Sequence, residues 1–236
     1  MQLKQYNKVK NLLLNALSSS DDMQLMDHFE PIDLVLSHVI SEPGDTIHDV
    51  YFPVDSFISL VMPLDTSVGL EVGLIGNEGM YGLPVILGVN KASFRAIVQG
   101  AGLALRMDAS AFMQALTERP NLNVLLKRYM HVSIAQLAQT AACNRYHVVE
   151  ERLARWLLMT KDRAHREEFH ITQEFLARML GVRRVGVTKA AGSLQRKKLI
   201  SYSRGNLKIH DIKGLEKSAC SCYLADKKVY ANVMQN

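Results

Sequence analysis

The 236-residue sequence predicts an α+β fold: an N-terminal antiparallel β-roll of jelly-roll type, a long dimerisation helix and a C-terminal winged helix-turn-helix. Three observations predict it. Between residues 32 and 107, short apolar runs alternate with Gly- and Pro-containing turns, the texture of an antiparallel roll. From 121 to 161 there is neither Gly nor Pro. From Thr172 to His210 the pattern reads helix, glycine turn, helix, hairpin. The expected domains are therefore a roll over 1–120, the long helix over 121–147 and a winged helix over 148–236.

Residues 1 to about 30 read as helical, with Leu12, Leu13, Ala16 and Leu17 on one apolar face. Ser18–Asp22 interrupts that face and can cap a second short helix through Met26 and Phe29. Candidate strands follow at Ile47–Phe52, Ser56–Val61, Leu70–Ile75, Ala96–Gln99 and Leu103–Met107. The turns between them are Pro43-Gly44-Asp45, Pro63-Leu64-Asp65, Gly76-Asn77-Glu78-Gly79 and Gly100-Ala101-Gly102. Gly82–Gly88 suggests a single helical turn inside the roll, and Asp108 or Ser110 can cap a helix ending near Pro120.

The stretch from Asn121 to about Lys161 reads as continuous helix, about 60 Å at 1.5 Å per residue. Leu126, Met130, Ser133, Leu137 and Thr140 recur at alternating spacings of four and three, a seam suited to a second copy of the helix. A second stripe, Leu125, Tyr129, Val132 and Ala135 or Gln136, is expected to face its own domain. Because the seam turns polar near Asn144, a bend is expected around Arg145–Val149.

In the C-terminal segment Thr172 is a candidate N-cap, and Gly181 can supply the left-handed residue that ends the first helix. Ala177 is small where two steeply crossed helices must approach. Val187, Ala190, Ala191 and Leu194 form the inward face of the second helix. Ile200–Arg204 and Leu207–His210 read as a hairpin wing around Gly205-Asn206. The outward side is basic, and no acid occurs from Arg178 to His210. From Arg145 to His210 there are fifteen Lys/Arg against six Asp/Glu, a net of +9 that leaves −4 for the rest of a +5 chain. A basic part on a mildly acidic remainder suits a double-stranded DNA partner. The expected DNA-facing residues are Thr172, Arg183, Arg184, Val185, Thr188, Lys189, Arg196, Lys198 and Arg204.

The N-terminus lacks the pattern of a secretion signal, and no run approaches 18 apolar residues, so a cytoplasmic protein without a membrane partner is expected. Cys143, Cys220 and Cys222 form no disulfide framework. Cys-x-Cys supplies half of a zinc site, but in the sequence nothing places Cys143 or His210 beside it. Leu215, Ala219 and Tyr223 instead suggest one closing helix in which the cysteines are small buried side chains. His28, His38, His48, His131 and His147 share no ligand spacing, so no metal and no cofactor are expected. A cupin-like metalloenzyme would need a His-x-His and glutamate cluster that the roll lacks, and no catalytic motif appears.

The order roll, long helix, winged helix resembles the Crp/Fnr family of bacterial transcription regulators. The resemblance rests on Glu42-Pro-Gly-Asp45 followed by Val50-Tyr-Phe52, on Asn77-Glu-Gly79 to Gly82, on Glu151-Arg-Leu-Ala154 and on the 172–205 segment. It implies a homodimer on a palindromic promoter site that recruits or blocks RNA polymerase. It also locates an effector pocket at Gly82, Leu83, Phe94, Arg95, Leu137 and Ala138. The cyclic-AMP-binding members carry a glutamate after the glycine, then Arg-Ser. Here Leu83 follows Gly82, Phe94 and Ala96 flank Arg95, and Leu137 and Ala138 replace the polar pair, so the resemblance implies loss of cyclic AMP binding. The iron–sulfur members have N-terminal cysteines, and none precedes Cys143. At the second helix, Arg184 and Lys189 match the family's basic positions while Val185 replaces a glutamate, which implies a different target. The expected function is sequence-specific DNA binding without enzyme activity. The effector is open: another small ligand, thiol redox, or none.

Overall fold

In the computed structural model, residues 11–17, 25–64 and 69–235 are described. The chain divides into two compact units, one of residues 1–60 and 75–131, the other of 61–74 and 132–236.

The first unit opens on Asn11, which is fully buried. Its Oδ1 accepts from the amides of Leu13 and Leu14 at 3.1 and 3.2 Å, capping α1 (Leu12–Asn15). Its Nδ2 donates to the carbonyls of Pro53 and Gly79, both at 2.9 Å. This anchoring sets the helix phase, so Leu13 and Leu14 are buried while Leu12, expected on the inner face, is exposed. Of the expected second helix, the described residues show Leu25 as helical, followed by a 3-10 turn over Met26–His28. The Ser18–Asp22 break lies outside the described residues.

The strands are β1 (Glu30–Leu34), β2 (Val39–Ser41), β3 (Asp49–Pro53), β4 (Phe57–Met62), β5 (Leu70–Ile75), β6 (Arg95–Gly100) and β7 (Gly102–Asp108). They form sheets of order β1-β7-β3 and β2-β6-β4-β5, with antiparallel β1–β7, β3–β7 and β2–β6 pairs. The first two strands carry no clear alternation and were not legible in the sequence. β1 lies at a sheet edge, where Pro31 removes no needed ladder donor. Between β5 and β6 comes α2 (Leu83–Ile86), entered through Gly82 at φ +104, a left-handed conformation glycine adopts without strain. A Cβ there would also lie 2.7 Å from Val50 Cγ1. Asp108 caps α3 (Ala109–Glu118) by accepting from Ser110 and Ala111. At the centre of the unit, Phe52 has no exposed surface and meets Phe29 and Phe112 edge-on at 5.2 and 6.0 Å.

The Gly- and Pro-free stretch is two helices, α4 (Pro120–Tyr146) and α5 (Val149–Ala164), broken at His147–Val148 where the bend was expected. The expected seam needs correction. Leu126 is fully buried, as are Leu122 and Tyr129, so the monomer core already takes it up. Met130, Ser133, Leu137 and Thr140 remain partly accessible, and Val124 and Ile134 are exposed. Of the stripe expected to face its own domain, Tyr129 and Val132 are buried and Leu125 is partly accessible, so the buried face takes Leu126 from the seam and two residues from the neighbouring stripe.

In the second unit α5 runs through the core, burying Leu153, Ala154, Trp156, Leu157 and Leu158. It packs against the helices that follow, α6 (Gln173–Met179), α7 (Arg184–Arg196), α8 (Ile212–Ser218) and α9 (Cys222–Met234). Three strands complete the unit: β8 (Glu168–His170), β9 (Ile200–Ser203) and β10 (Asn206–Ile209), in the order β8-β10-β9. The single closing helix expected through Leu215, Ala219 and Tyr223 is in fact two. Ala219 has extended backbone and caps α8, while Leu215 and Tyr223 enter the same core from different helices. No helix among the described residues is long and apolar enough to cross a membrane.

Phe52→Ala should destabilise the protein by about 3–5 kcal/mol, because three rings meet at a site with no solvent to fill the gap. Urea denaturation followed by far-ultraviolet circular dichroism checks it, the midpoint falling with an unchanged slope.

Candidate nucleic-acid interface

The interface is built on the turn between α6 and α7. Thr172 caps α6, its Oγ1 accepting from the Phe175 amide at 3.1 Å. Gly181 follows the helix at φ +60, as expected of a left-handed terminator. The end of α6 is also held by a residue that sequence reasoning missed. The buried guanidinium of Arg152, on α5, donates to the Leu180 carbonyl and, at 2.6 Å, to Asn144 Oδ1. An arginine in an apolar helical stripe reads as an outward charge, and only the turn's position shows it to be a cap.

Across the turn, Ala177 and Leu176 of α6 and Val187, Ala190, Ala191 and Leu194 of α7 are buried in one core, matching the expected inward face. The opposite side of α7 is exposed and basic. Arg183, Arg184, Val185, Thr188, Lys189, Arg196 and Lys198 are all solvent-exposed. Among the described residues, Arg183, Arg184, Lys189, Arg196, Lys198 and Arg204 make no ion pair, so their charge is available to an anion. Lys197 differs: its Nζ lies 2.6 Å from Glu150 Oε1. Burial opposes the charge on Glu150, but Lys197 and Ser193 hold its carboxyl below the usual range. The Thr188 hydroxyl is shared between Gln173 Oε1 at 2.7 Å and the Arg184 carbonyl at 3.1 Å. Thr188 thus helps to fix the angle between the two helices.

The wing turns at Arg204-Gly205, not at Gly205-Asn206. Ser203 pairs with Asn206, and both turn residues have positive φ, +50 and +84. That is the two-residue hairpin geometry whose twist matches the strands. It places exposed Arg204 at the wing tip. β8 adds a third strand through Glu168–His170, too short to announce itself in the sequence. Tyr202 holds the wing to the domain, its hydroxyl donating to the Ile171 carbonyl at 2.6 Å and its amide to Gln195 Oε1 at 2.7 Å. Burial pushes the Tyr202 hydroxyl up to about 12, with Arg184 pulling the other way.

Of the expected effector residues, Gly82, Leu83, Phe94 and Arg95 lie in the first unit and Leu137 and Ala138 in the second. Gly82 ends the approach to α2, and Leu83 opens it. Arg95 is exposed, its Nε 3.3 Å from Glu42 Oε1.

The cysteines also depart from expectation. Cys143 lies against Cys220, with the sulfurs 3.5 Å apart, and Cys222 Sγ is 3.5 Å from Nδ1 of His147. His210, the other helper considered, bonds instead to Ser201 Oγ at 2.9 Å. The missed signal was Cys143-x-x-x-His147, a spacing that stacks two side chains on one helical face. The His147 amide still bonds the Cys143 carbonyl at 3.1 Å, so the turn persists past the end of α4. The hydrogen bond from Cys220 holds the Cys143 thiol down at about 5, against burial and with help from Arg155. Cys220 is pushed up by its bond to Cys143 and by burial.

Residues 151–218 match the family model of the Crp-like helix-turn-helix domain. The "Global nitrogen regulator" of Nostoc sp. is 24% identical over 177 residues, 71% of this chain and 79% of that protein. Its Synechocystis counterpart is 23% identical over 184 residues, 74% and 82% of the two chains. FixK2 from Bradyrhizobium japonicum shares the fold at a TM-score of 0.69 and 12% identity, over 82% of this chain and 98% of its own. A Crp/Fnr-family transcriptional regulator from Thermus thermophilus does so at a TM-score of 0.65 and 21% identity, over 81% and 99%.

Thr172→Ala should lower stability by about 1 kcal/mol, the usual value of an N-cap side chain, and Thr172→Ser should restore most of it. Thermal unfolding of the two variants checks this.

Proposed function

We propose that this chain is a transcription regulator of the Crp/Fnr type that acts as a homodimer binding a two-fold symmetric promoter site. One observation carries the reading: the outer side of α7 is exposed, and the only charges on it are basic and, Lys197 apart, outside any ion pair among the described residues, set on a buried apolar face. A helix whose first turn carries Arg183 and Arg184 suits the major groove, where arginine makes bidentate bonds to guanine O6 and N7. Val185 is 63% exposed beside them and offers only apolar contact, for example to a thymine methyl. Lys189 and Arg196 continue the face along the helix. Lys198, past its end, and Arg204, at the wing tip, are suited to backbone phosphates.

Dimerisation is assigned to the outer side of α4, through Met130, Ser133, Leu137 and Thr140 flanking exposed Ile134. Leu126 is not part of it. The dimer would present two copies of α7 to half-sites about 34–36 Å apart and act on RNA polymerase from there. Cyclic AMP is not the effector in this reading. Leu83 offers no polar group to a ribose, and Arg95 is engaged by Glu42.

Selection of binding sites from random duplex DNA tests the proposal. The expected outcome is an inverted repeat, and recovery of single half-sites alone at saturating protein would refute the dimer. On the selected site, Arg184→Ala should cost about 1–3 kcal/mol and relax preference at one base position. Lys198→Ala should weaken all sequences alike and reduce the salt slope by about 1. Filter binding across a salt series separates the two. Millimolar cyclic AMP should leave the melting temperature unmoved, whereas a ligand at 100 times its Kd would add about 2.7 kcal/mol.

A further inference from the structure

Four donors that the DNA-binding role leaves unused converge in the second unit. The sulfurs of Cys143, Cys220 and Cys222 and a ring nitrogen of His147 all lie within 4.8 Å of one another. The three cysteines are buried and His147 is half-buried. They come from two stretches far apart in sequence, 77 positions in the case of Cys143 and Cys220. We propose that these four side chains form a Cys3His site for a single thiophilic divalent cation, zinc foremost, which fastens the start of α9 to the last turn of α4.

The geometry favours one ion over the other fates of clustered cysteines. Zinc–sulfur bonds of about 2.3 Å and zinc–nitrogen bonds of about 2.0–2.1 Å put the corners of a tetrahedron about 3.5–3.8 Å apart. Cys143–Cys220 and Cys222–His147 are both at 3.5 Å, so closing around an ion needs only small side-chain movements. A polynuclear iron–sulfur cluster needs its ligands spread around several irons and sulfides, wider than this tetrad. The donor set, three soft thiolates and one imidazole, is that of closed structural zinc sites.

The surroundings supply what such an ion requires. Zinc with three thiolates and a neutral imidazole carries a net charge of −1, with the thiol protons released to solvent on binding. Two buried guanidiniums, Arg152 and Arg155, interact electrostatically with Cys143 and Cys220. Arg155 already has a carboxylate, Asp226, at 2.7 Å. The hydrogen bonds of Arg152 go only to the neutral oxygens of Asn144 and Leu180, and it makes no ion pair among the described residues. Arg155 Nε is buried with no hydrogen-bond partner. An anionic metal centre answers the surplus charge. Gln139 Nε2 donates to Cys222 Sγ at 2.9 Å, the outer-shell hydrogen bond that orients a ligating thiolate.

The test uses the full-length protein, purified with reductant and without chelator. Elemental analysis should find roughly one zinc per chain, and mercurial titration of the three thiols should release it. Exchange for cobalt(II) should give the intense visible d–d bands of a tetrahedral thiolate site. Cys220→Ser should abolish stoichiometric metal. Gln139→Leu, which removes no ligand and disturbs little packing, should weaken zinc affinity about 10–100-fold in a chelator competition. Chelation should lower the melting temperature of the wild type, and added zinc should restore it. A metal-free protein that cannot be loaded with zinc would overturn the proposal, as would an octahedral cobalt spectrum. A visible iron–sulfur chromophore, or a Cys143–Cys220 disulfide forming with no metal to displace, would do the same.

Discussion

The buried guanidinium of Arg152 is the interaction on which the second unit most depends. It stands on α5, bonds Asn144 near the end of α4 and closes the Leu180 carbonyl at the end of α6. One side chain therefore ties the last turns of the long helix to the turn that aims α7. Burial works against its charge and lowers its pKa, a cost offset only while both oxygens stay in place. Removing either partner would leave a buried charged donor without its acceptor.

Around this residue most polar groups buried along α5 have a destination, with Arg155 Nε and Thr160 Oγ1 as the exceptions. Arg155 reaches Asp226 and Thr140, Trp156 donates to Glu71 at 2.8 Å, and Arg163 Nε reaches the Leu74 carbonyl. These bonds reach from α5 to α4, α9 and β5. They do not strengthen α7 directly; they fix the platform from which its basic side projects. The exposed cations of α7 make no ion pair among the described residues, and Lys197, just past its end, is drawn to Glu150. A rigid inner face and an uncommitted cationic outer face is the division of labour that recognition of a polyanion needs.

The same economy gives the cysteine–histidine cluster its interest. It sits beside the break at His147–Val148 and next to Arg155, where α4, α5 and α9 meet. Backbone freedom at that break would otherwise be limited only by side-chain packing. A cross-link between segments distant in sequence removes conformational entropy from the unfolded chain most effectively when the closed loop is long.

By itself the sequence determined whatever depends on local chemistry. Gly181 after an apolar stripe, Thr172 as cap, a run without Gly or Pro and the one-signed charge of Arg178–His210 are each legible one residue at a time. Five strands of the roll and the two that flank the wing turn were legible because their ends carry Gly, Pro or Asp turns. β1, β2 and β8 were not, because edge and three-residue strands take their identity from the neighbour that pairs with them. Only tertiary structure decided that Leu126 of the expected seam joins Tyr129 and Val132 of the inward stripe while Leu125 stays partly accessible, since the two leucines are equally apolar and burial falls to the one that meets the core. It alone decided that Arg152 caps a helix and that Cys143 and His147 meet Cys220 and Cys222. Periodicity specifies which side chains share a face of one helix, whereas a coordination sphere or a buried hydrogen bond is set by the approach of segments far apart in the chain.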